Sequence, residues 1–270
     1  MPGAFWLWDN RSLSFVPIGW SVDGPDIQIE PGSPARGILA IETATEACSV
    51  ALYRDGGYVE RHEEAPRQHH ERVFSMLREL LPDGDLRAQG IDAIAWGCGP
   101  GSFTGLRIAA SAVQGLAFAN RLPAVGVSTL ACQAQTALRR GALSRDDRVL
   151  SLLDARINEF YWASFRFLDG VAELEHGPVA CPPGALSLPG RDAPLLAVGS
   201  GCRFIGEMPA ATQAAVEVVA PQLLPAARDL VPPALVLLRR GVTQRPEQVQ
   251  PVYVRDEINW KKLPGQGRRR

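Results

Sequence analysis

The sequence predicts an α/β fold with two lobes, because the same succession of elements occurs twice along the chain. Residues 38–42 and 48–53 form two strand-like apolar runs around a polar turn, and Asp55-Gly56-Gly57 turns the chain into a third strand. Residues 149–154 and 160–167 repeat this β-meander in the second half, and a further strand is expected at residues 195–198. Helical segments follow each set of strands, so we expect sheets that are covered by helices.

The first half continues with a helix, a strand, a second helix and a short strand. Pro82-Asp83-Gly84 ends the first helix. That helix is indicated by apolar residues at helical spacing, namely Val73, Met76, Leu77, Leu80 and Leu81. A buried strand is expected at residues 91–96. The glycine-rich turn of residues 97–105 then opens a helix that runs to about Asn120, and residues 124–127 form the short strand.

These elements divide the chain into four parts. We predict a first lobe at residues 37–135 and a second lobe with a returning C-terminal segment at residues 136–258. The second lobe has an Ala/Leu-rich helical region that is interrupted at Pro232-Pro233. Two lobes of this kind are typical of the actin and Hsp70-like (ASKHA) architecture.

Both ends of the chain differ in composition from the predicted lobes. Residues 1–36 are rich in Trp and Pro and lack a period, so we predict a poorly packed extension. This extension is either a peripheral clamp or an over-long start of the reading frame. Residues 259–270 form a basic tail, interpreted as solvated.

Composition excludes several classes of protein. The 270 residues are 46% hydrophobic and 21% charged, which is enough for a sizeable core, and the net charge of -1 provides no general field for nucleic acid. Five cysteines without a C-x-x-C pair argue against a disulfide framework or a zinc knuckle, so we expect reduced thiols in a cytosol. No run reaches the ~18 apolar residues of a membrane span, so we expect a soluble cytoplasmic protein.

The glycine-rich turn has the parts of an anion cradle, namely glycines, free backbone N–H groups and a helix N-terminus. It is not a Walker A loop, because no Lys-Ser/Thr follows Gly105. A phosphate site and a tight structural turn therefore both stay open. The candidate phosphate-binding residues are Gly99, Gly101, Ser102, Thr104, Gly105 and Arg107.

The helix that follows is apolar on nearly every side, which predicts that it is buried on most sides. A strip of mostly small side chains runs along this helix at spacings of four, three and four residues, and a second helix can approach closely there. Its members are Ile108, Ala112, Gly115 and Ala119. The neighbour is either another helix of the same chain or a partner subunit.

Candidate catalytic residues are few. His69 and His70 are adjacent, so they cannot form the i, i+4 pair that binds a metal from one helix face, and we predict no metal site. Glu42 and Asp154 follow strands, where each could hold magnesium or act as a base, although turn capping is the commoner role. No G-x-S-x-G elbow supports a nucleophilic hydrolase.

Five blocks of sequence resemble, in order, those of the TsaB family. They are residues 38–45 with 48–52, Gln68-His69, residues 97–107, Asp154-Ala155-Arg156 with Glu159, and residues 251–256. The chain departs from the family at Glu42, where Asp is usual, at Ala44, where Ser is usual, and in residues 1–36, which have no counterpart. The first two departures weaken any expectation of nucleotide binding in the cleft.

The resemblance implies a non-catalytic subunit that dimerises with the transferase TsaD and works with the ATPase TsaE to form threonylcarbamoyladenosine in tRNA. It implies no cofactor in this chain, with nucleotide at the complex junction left open, and contact with tRNA only through the complex. A homodimer through the same helices is the alternative when the partner is absent. The interface implied for the first two helices comprises His69, Val73, Met76, Leu77, Leu80, Ile108, Ala112, Gly115 and Ala119.

Two other functions stay open on the residues alone. An actin-fold ATP-dependent kinase or ATP hydrolase would use the loop of residues 99–105 together with Glu42 and Asp154. A glycoprotease would need a metal pair or an activated nucleophile, and the sequence offers neither arrangement.

Overall fold

The computed structural model describes residues 37–188 and 194–254, which form two five-stranded sheets with helices. The first sheet has the order β3-β2-β1-β4-β5 and contains β1 (Gly37–Glu42), β2 (Ala47–Arg54), β3 (Gly57–Glu64), β4 (Ala93–Gly99) and β5 (Ala124–Ser128). The second has the order β10-β9-β6-β7-β8 and contains β6 (Val149–Arg156), β7 (Glu159–Leu168), β8 (Val171–Cys181), β9 (Leu195–Val198) and β10 (Val216–Ala220).

Five α-helices and four 3₁₀ helices lie in the described part of the chain. The α-helices are α1 (His69–Leu80), α2 (Phe103–Asn120), α3 (Thr129–Arg139), α4 (Ala210–Ala214) and α5 (Val231–Arg239). The 3₁₀ helices are Pro183–Ala185, Ser200–Glu207, Ala227–Leu230 and Pro246–Gln248.

Both sheets have the same topology. β1, β2 and β3 form an antiparallel meander, and β4 and β5 extend it on the other side of β1 as parallel strands. β6, β7 and β8 form the second meander, and β9 and β10 extend it in the same way. The prediction of two α/β lobes, each built on a β-meander, is therefore confirmed, although no fixed-period repeat marks the duplication in the sequence.

The first sheet is covered on both faces because side chains along β1 alternate between two cores. Leu39 and Ile41 pack in one core with α1 and α2, whereas Ile38 and Ala40 pack in the other with α5. All six residues of β1 are consequently buried. The C-terminal α5 thus returns to the first sheet.

Helix α3 is shared between the two lobes. Its residues 129–137 are all buried, with Leu130 and Ala134 in the core of the second sheet and Cys132 in a core of the first. The boundary predicted between residues 135 and 136 falls inside this helix.

Two element predictions differ from the structure. Residues 97–99 continue β4 rather than opening the glycine-rich turn, because they pair with residues 127–128 of β5. Pro232 and Pro233 lie in the first turn of α5 and begin the helix rather than interrupting it, since the first turn does not require their missing N–H groups. The predicted extension at residues 1–36 and basic tail at residues 259–270 lie outside the described residues.

Asp229 links α3 to the first lobe. It lies in the 3₁₀ helix Ala227–Leu230, which packs in a core of the first sheet. It is 2% exposed and accepts two hydrogen bonds of 2.7 Å from Arg139 of α3. Asp229→Ala leaves a partly buried guanidinium unpaired, so we expect the free energy of unfolding to fall by about 3 kcal/mol in urea titration. The matched control removes the more exposed Arg166–Glu173 pair by Glu173→Ala and should cost less than about 1 kcal/mol. An equal loss in both variants would contradict a special role for Asp229.

Candidate functional site

The glycine-rich loop packs directly against the turn between β1 and β2. The backbone N–H of Ser102 donates to the carbonyl oxygen of Ala44 at 2.7 Å, and the Thr43 hydroxyl donates to the carbonyl oxygen of Gly105 at 2.8 Å. The Ser102 hydroxyl accepts a hydrogen bond from the N–H of Gly105 and caps α2. Several of the polar groups of the loop are therefore used within the chain.

Close backbone approach explains the glycines of this loop. A Cβ at Gly105 would lie 1.9 Å from the carbonyl oxygen of Thr43, and one at Gly101 would lie 2.4 Å from that of Ala44. A Cβ at Gly99 would lie 2.6 Å from the carbonyl oxygen of Val252. These contacts favour the structural-turn interpretation of the loop over the phosphate cradle. Ser102, Thr104 and Arg107 are the candidate phosphate-binding residues that are exposed.

Glu42 is enclosed at the end of β1. Its Oε1 accepts a hydrogen bond of 2.6 Å from the N–H of Ala44, whereas Oε2 has no partner within the described part of the chain. A Cβ at Gly97 of β4 would lie 2.0 Å from Oε2, so the carboxyl fills the space above that glycine. Loss of solvation raises the pKa of Glu42 from its ordinary 4.5 to about 7. A buried carboxyl of this kind is poorly placed to bind magnesium.

Asp154 lies across the cleft at the end of β6 and is neutralised by two arginines. Its Oδ2 is 3.1 Å from Arg203 and 3.8 Å from Arg156. Arg156 also reaches Glu46 of the first lobe at 2.9 Å, so an exposed ion pair crosses between the β1–β2 and β6–β7 turns. Glu42 and Asp154 therefore do not form an open pair of carboxylates for a kinase or ATP hydrolase.

The thiols and histidines are the remaining groups that could carry chemistry. Burial raises the pKa of Cys48, Cys98 and Cys202 to about 12, which disfavours the nucleophilic thiolate. His69 is buried, with Nε2 3.2 Å from the carbonyl oxygen of Ala47, whereas His70 is exposed beside Glu71. Within residues 37–188 and 194–254, no group of three or more His, Cys, Asp or Glu side chains is arranged to hold a metal ion.

The predicted interface residues of α1 and α2 divide into two groups. Val73, Met76, Leu77 and Ala112 are buried in the core of the first lobe, because they face the sheet. His69 is also buried, and Leu80 and Ile108 are partly buried at the edge of the same core. Only Gly115 and Ala119 are exposed. The buried members therefore present no surface to a partner.

The apolar composition of α2 predicted a helix that is buried on most sides. This prediction differs from the structure, because one face of α2 is open to solvent. This exposed α2 face consists of Phe103, Thr104, Arg107, Ser111, Gly115, Phe118 and Ala119. Phe118 is 78% exposed, and Phe74 of α1 is 46% exposed. Neither phenylalanine is predicted from the sequence as a surface residue, because an apolar side chain on an apolar helix gives no sign of which face points outward.

Comparisons with known proteins place these features in a family. The family model described as "TsaD: tRNA N6-adenosine threonylcarbamoyltransferase" matches residues 50–258. The "tRNA threonylcarbamoyladenosine biosynthesis protein TsaB" of Escherichia coli (strain K12) is 39% identical over 234 residues, which cover 84% of this chain and 98% of the relative. The chain belongs to the TsaB family. The protein of the same name in Haemophilus influenzae is 33% identical over 241 residues, covering 84% of this chain and 97% of the relative.

A solved structure of a relative supports the same assignment. The structure titled "YeaZ from Pseudomonas aeruginosa" matches with a TM-score of 0.73 and 40% identity, covering 80% of this chain and 99% of that chain. The shared fold therefore extends over nearly the whole of that neighbour. Among the described residues, no helix is long and apolar enough to cross a membrane.

Two glycines of α2 provide a matched test of the packing role of the loop. Gly105→Ala places a methyl group against the backbone of Thr43, so we expect the free energy of unfolding to fall by about 3 kcal/mol. Gly115→Ala meets nothing within 4 Å and should stabilise the helix by about 0.5–1 kcal/mol. Urea titration of both variants is the measurement. Destabilisation of similar size at both positions would contradict the packing role.

The buried carboxyl of Glu42 predicts a pH dependence of stability. Its pKa in the folded chain is raised from 4.5 to about 7, so the folded chain favours the protonated carboxyl. The contribution of this group to the free energy of unfolding is therefore complete below pH 4.5 and is lost as the pH rises through 7. Glu42→Gln keeps the shape without ionising. The difference in unfolding free energy between the native chain and this variant should therefore change by about 3 kcal/mol between pH 5 and pH 8. The exposed Glu46→Gln serves as control, and a constant difference for Glu42→Gln would contradict the prediction.

Proposed function

We propose that the chain is the non-catalytic partner subunit of TsaD in the biosynthesis of tRNA threonylcarbamoyladenosine. The proposal rests on membership of the TsaB family, whose relatives in E. coli and H. influenzae are named as proteins of this pathway. The observation that carries it is the exposed α2 face, which offers Phe118 and small side chains on a helix anchored to the first sheet.

The polar side chains of the cleft support a role without turnover by this chain. Glu42 is enclosed and carries a raised pKa, and Asp154 is paired with two arginines. The loop of residues 99–105 uses its glycines for contacts with the β1–β2 turn and the C-terminal segment. The kinase and ATP hydrolase alternative therefore has no specific observation in its favour.

The proposed interface is centred on exposed residues of the first two helices. Phe74 of α1 and Phe118 of α2 are large apolar side chains that a partner can cover, and Gly115 lets another helix approach closely. Of the residues implied by the family resemblance, Gly115 and Ala119 stay in this interface. The buried members support it from beneath by fixing the two helices on the sheet.

The chain then serves as a dimerisation scaffold within a larger assembly. TsaD supplies the transferase chemistry, TsaE is the further partner, and tRNA is contacted through the complex. Any nucleotide would lie at the junction of the subunits rather than in the cleft of this chain. A homodimer through the same helices would occupy the surface when TsaD is absent, because a two-fold axis can pair the same face with itself.

Co-expression with TsaD from the same organism, followed by size-exclusion chromatography, tests the proposal. The native chain should elute with TsaD. Gly115→Arg adds a long charged side chain where nothing lies within 4 Å of the Cβ, so the chain should fold but bind TsaD more weakly. We expect a loss of ~1–3 kcal/mol, or roughly five- to 150-fold in affinity.

The matched control is Gly206→Arg in the 3₁₀ helix of the second lobe, where the Cβ also meets nothing within 4 Å. This variant should bind TsaD as the native chain does. Failure of the native pair to associate would contradict the scaffold role. ATP turnover by the isolated chain that is lost in Asp154→Asn would instead support the enzymatic alternative.

A further inference from the structure

Arg107 is held in a small cluster of exposed aromatic side chains near the start of α2. Its Cζ lies 3.9 Å from the centroid of the Phe103 ring, and its Nε donates to the hydroxyl of Tyr253 at 3.2 Å. The two rings are 5.5 Å apart between centroids. Phe103 is 49% exposed and Tyr253 is 46% exposed, so the cluster lies at the surface. The guanidinium is thereby oriented before any partner arrives.

No carboxylate within the described residues forms an ion pair with Arg107, whereas Arg61, Arg72, Arg139 and Arg156 each form one. The remaining N–H groups of the Arg107 guanidinium form no hydrogen bond inside the described chain. A planar guanidinium with a fixed orientation fits the two oxygens of a carboxylate or phosphate. The remaining N–H donors of the Arg107 guanidinium can therefore bind an oxyanion.

Arg107 belongs to the exposed α2 face. Phe103, Arg107, Ser111 and Gly115 follow each other at intervals of four, so they lie along one side of the helix. Arg107 carries the only charge among the 18 residues of α2. A protein that covers Gly115 and Phe118 would also approach this guanidinium and exclude water from it. Burying an unpaired charge is costly, so such a partner needs an acidic side chain opposite Arg107.

We propose that Arg107 pairs with a carboxylate of TsaD and is a specificity-determining residue of the heterodimer, an inference that rests on the proposed function. Phe103 and Tyr253 are positioning residues, because they hold the guanidinium in place. A protein carboxylate is favoured over an RNA phosphate because the cluster continues the helix face of Ser111, Gly115 and Phe118, which suits a protein surface. The chain's net charge of -1 also offers no general attraction to nucleic acid.

The affinity of the full-length chain for TsaD tests this pairing, measured at low and at high salt. Arg107→Gln should weaken binding about tenfold or more at low salt, and the loss should shrink at high salt. Arg107→Lys keeps the charge but loses the planar fork, so its affinity should be intermediate. Arg107→Glu should be rescued by a Lys substitution of one acidic residue on the surface of TsaD that faces this chain.

Arg240→Gln is the matched control. It removes the same charge from an exposed position at the end of α5, on the opposite face of the first sheet, and should leave the affinity unchanged. Thermal unfolding of each variant verifies that the exposed substitutions leave the fold intact.

The outcomes separate the two proposals. Failure of the native chain to bind TsaD contradicts the proposed function and the pairing together. Native binding that Arg107→Gln does not weaken contradicts the pairing alone. If Arg107→Gln keeps its affinity for TsaD but lowers the affinity of the complex for tRNA, the oxyanion is a phosphate of RNA and the carboxylate proposal is overturned.

Discussion

The contact between the β1–β2 turn and the glycine-rich loop is the constraint on which the rest of the first lobe depends. The carbonyl oxygen of Thr43 lies where a side chain at residue 105 would begin, so only glycine permits the contact. This contact fixes the start of α2 on the sheet. The other end of α2 is held by Arg87, which donates to the carbonyl oxygens of Asn120 and Arg121. A helix anchored at both ends can present an apolar face to solvent without collapsing onto the core.

The same packing accounts for the chemistry of the cleft. The β1–β2 and β6–β7 turns are joined by the ion pair between Glu46 and Arg156. Glu42 is enclosed behind Gly97, and Asp154 is neutralised by arginines. Neither of the two candidate carboxyl groups is thus open to a metal ion. This arrangement is in line with the proposed role as a non-catalytic subunit.

The two faces of the first sheet serve different purposes. One face is covered by α5 and by the 3₁₀ helix Ala227–Leu230, which connect the lobe to α3 and the second sheet. The other face is covered by α1 and α2, whose outer sides remain open. Buried residues such as Val73 and Met76 therefore determine where Phe74 and Phe118 lie, although they cannot touch a partner themselves. Core packing and the proposed partner surface are in this way coupled through two helices.

The sequence by itself determined the strands, helices and turns and their repetition in two lobes. The reason is that strand and helix periods, turn residues and helix breakers act over a few residues. Residues 195–198 form the strand that was expected, and α2 ends at Asn120 as predicted. The resemblance to the TsaB family also followed from sequence blocks alone. Only the tertiary structure decided which side of α2 faces solvent, that the loop glycines serve packing, and that Arg107 has no carboxylate partner among the described residues. Each of these depends on contacts between residues far apart in sequence, such as Thr43 with Gly105 and Arg107 with Tyr253, and no local period encodes such contacts.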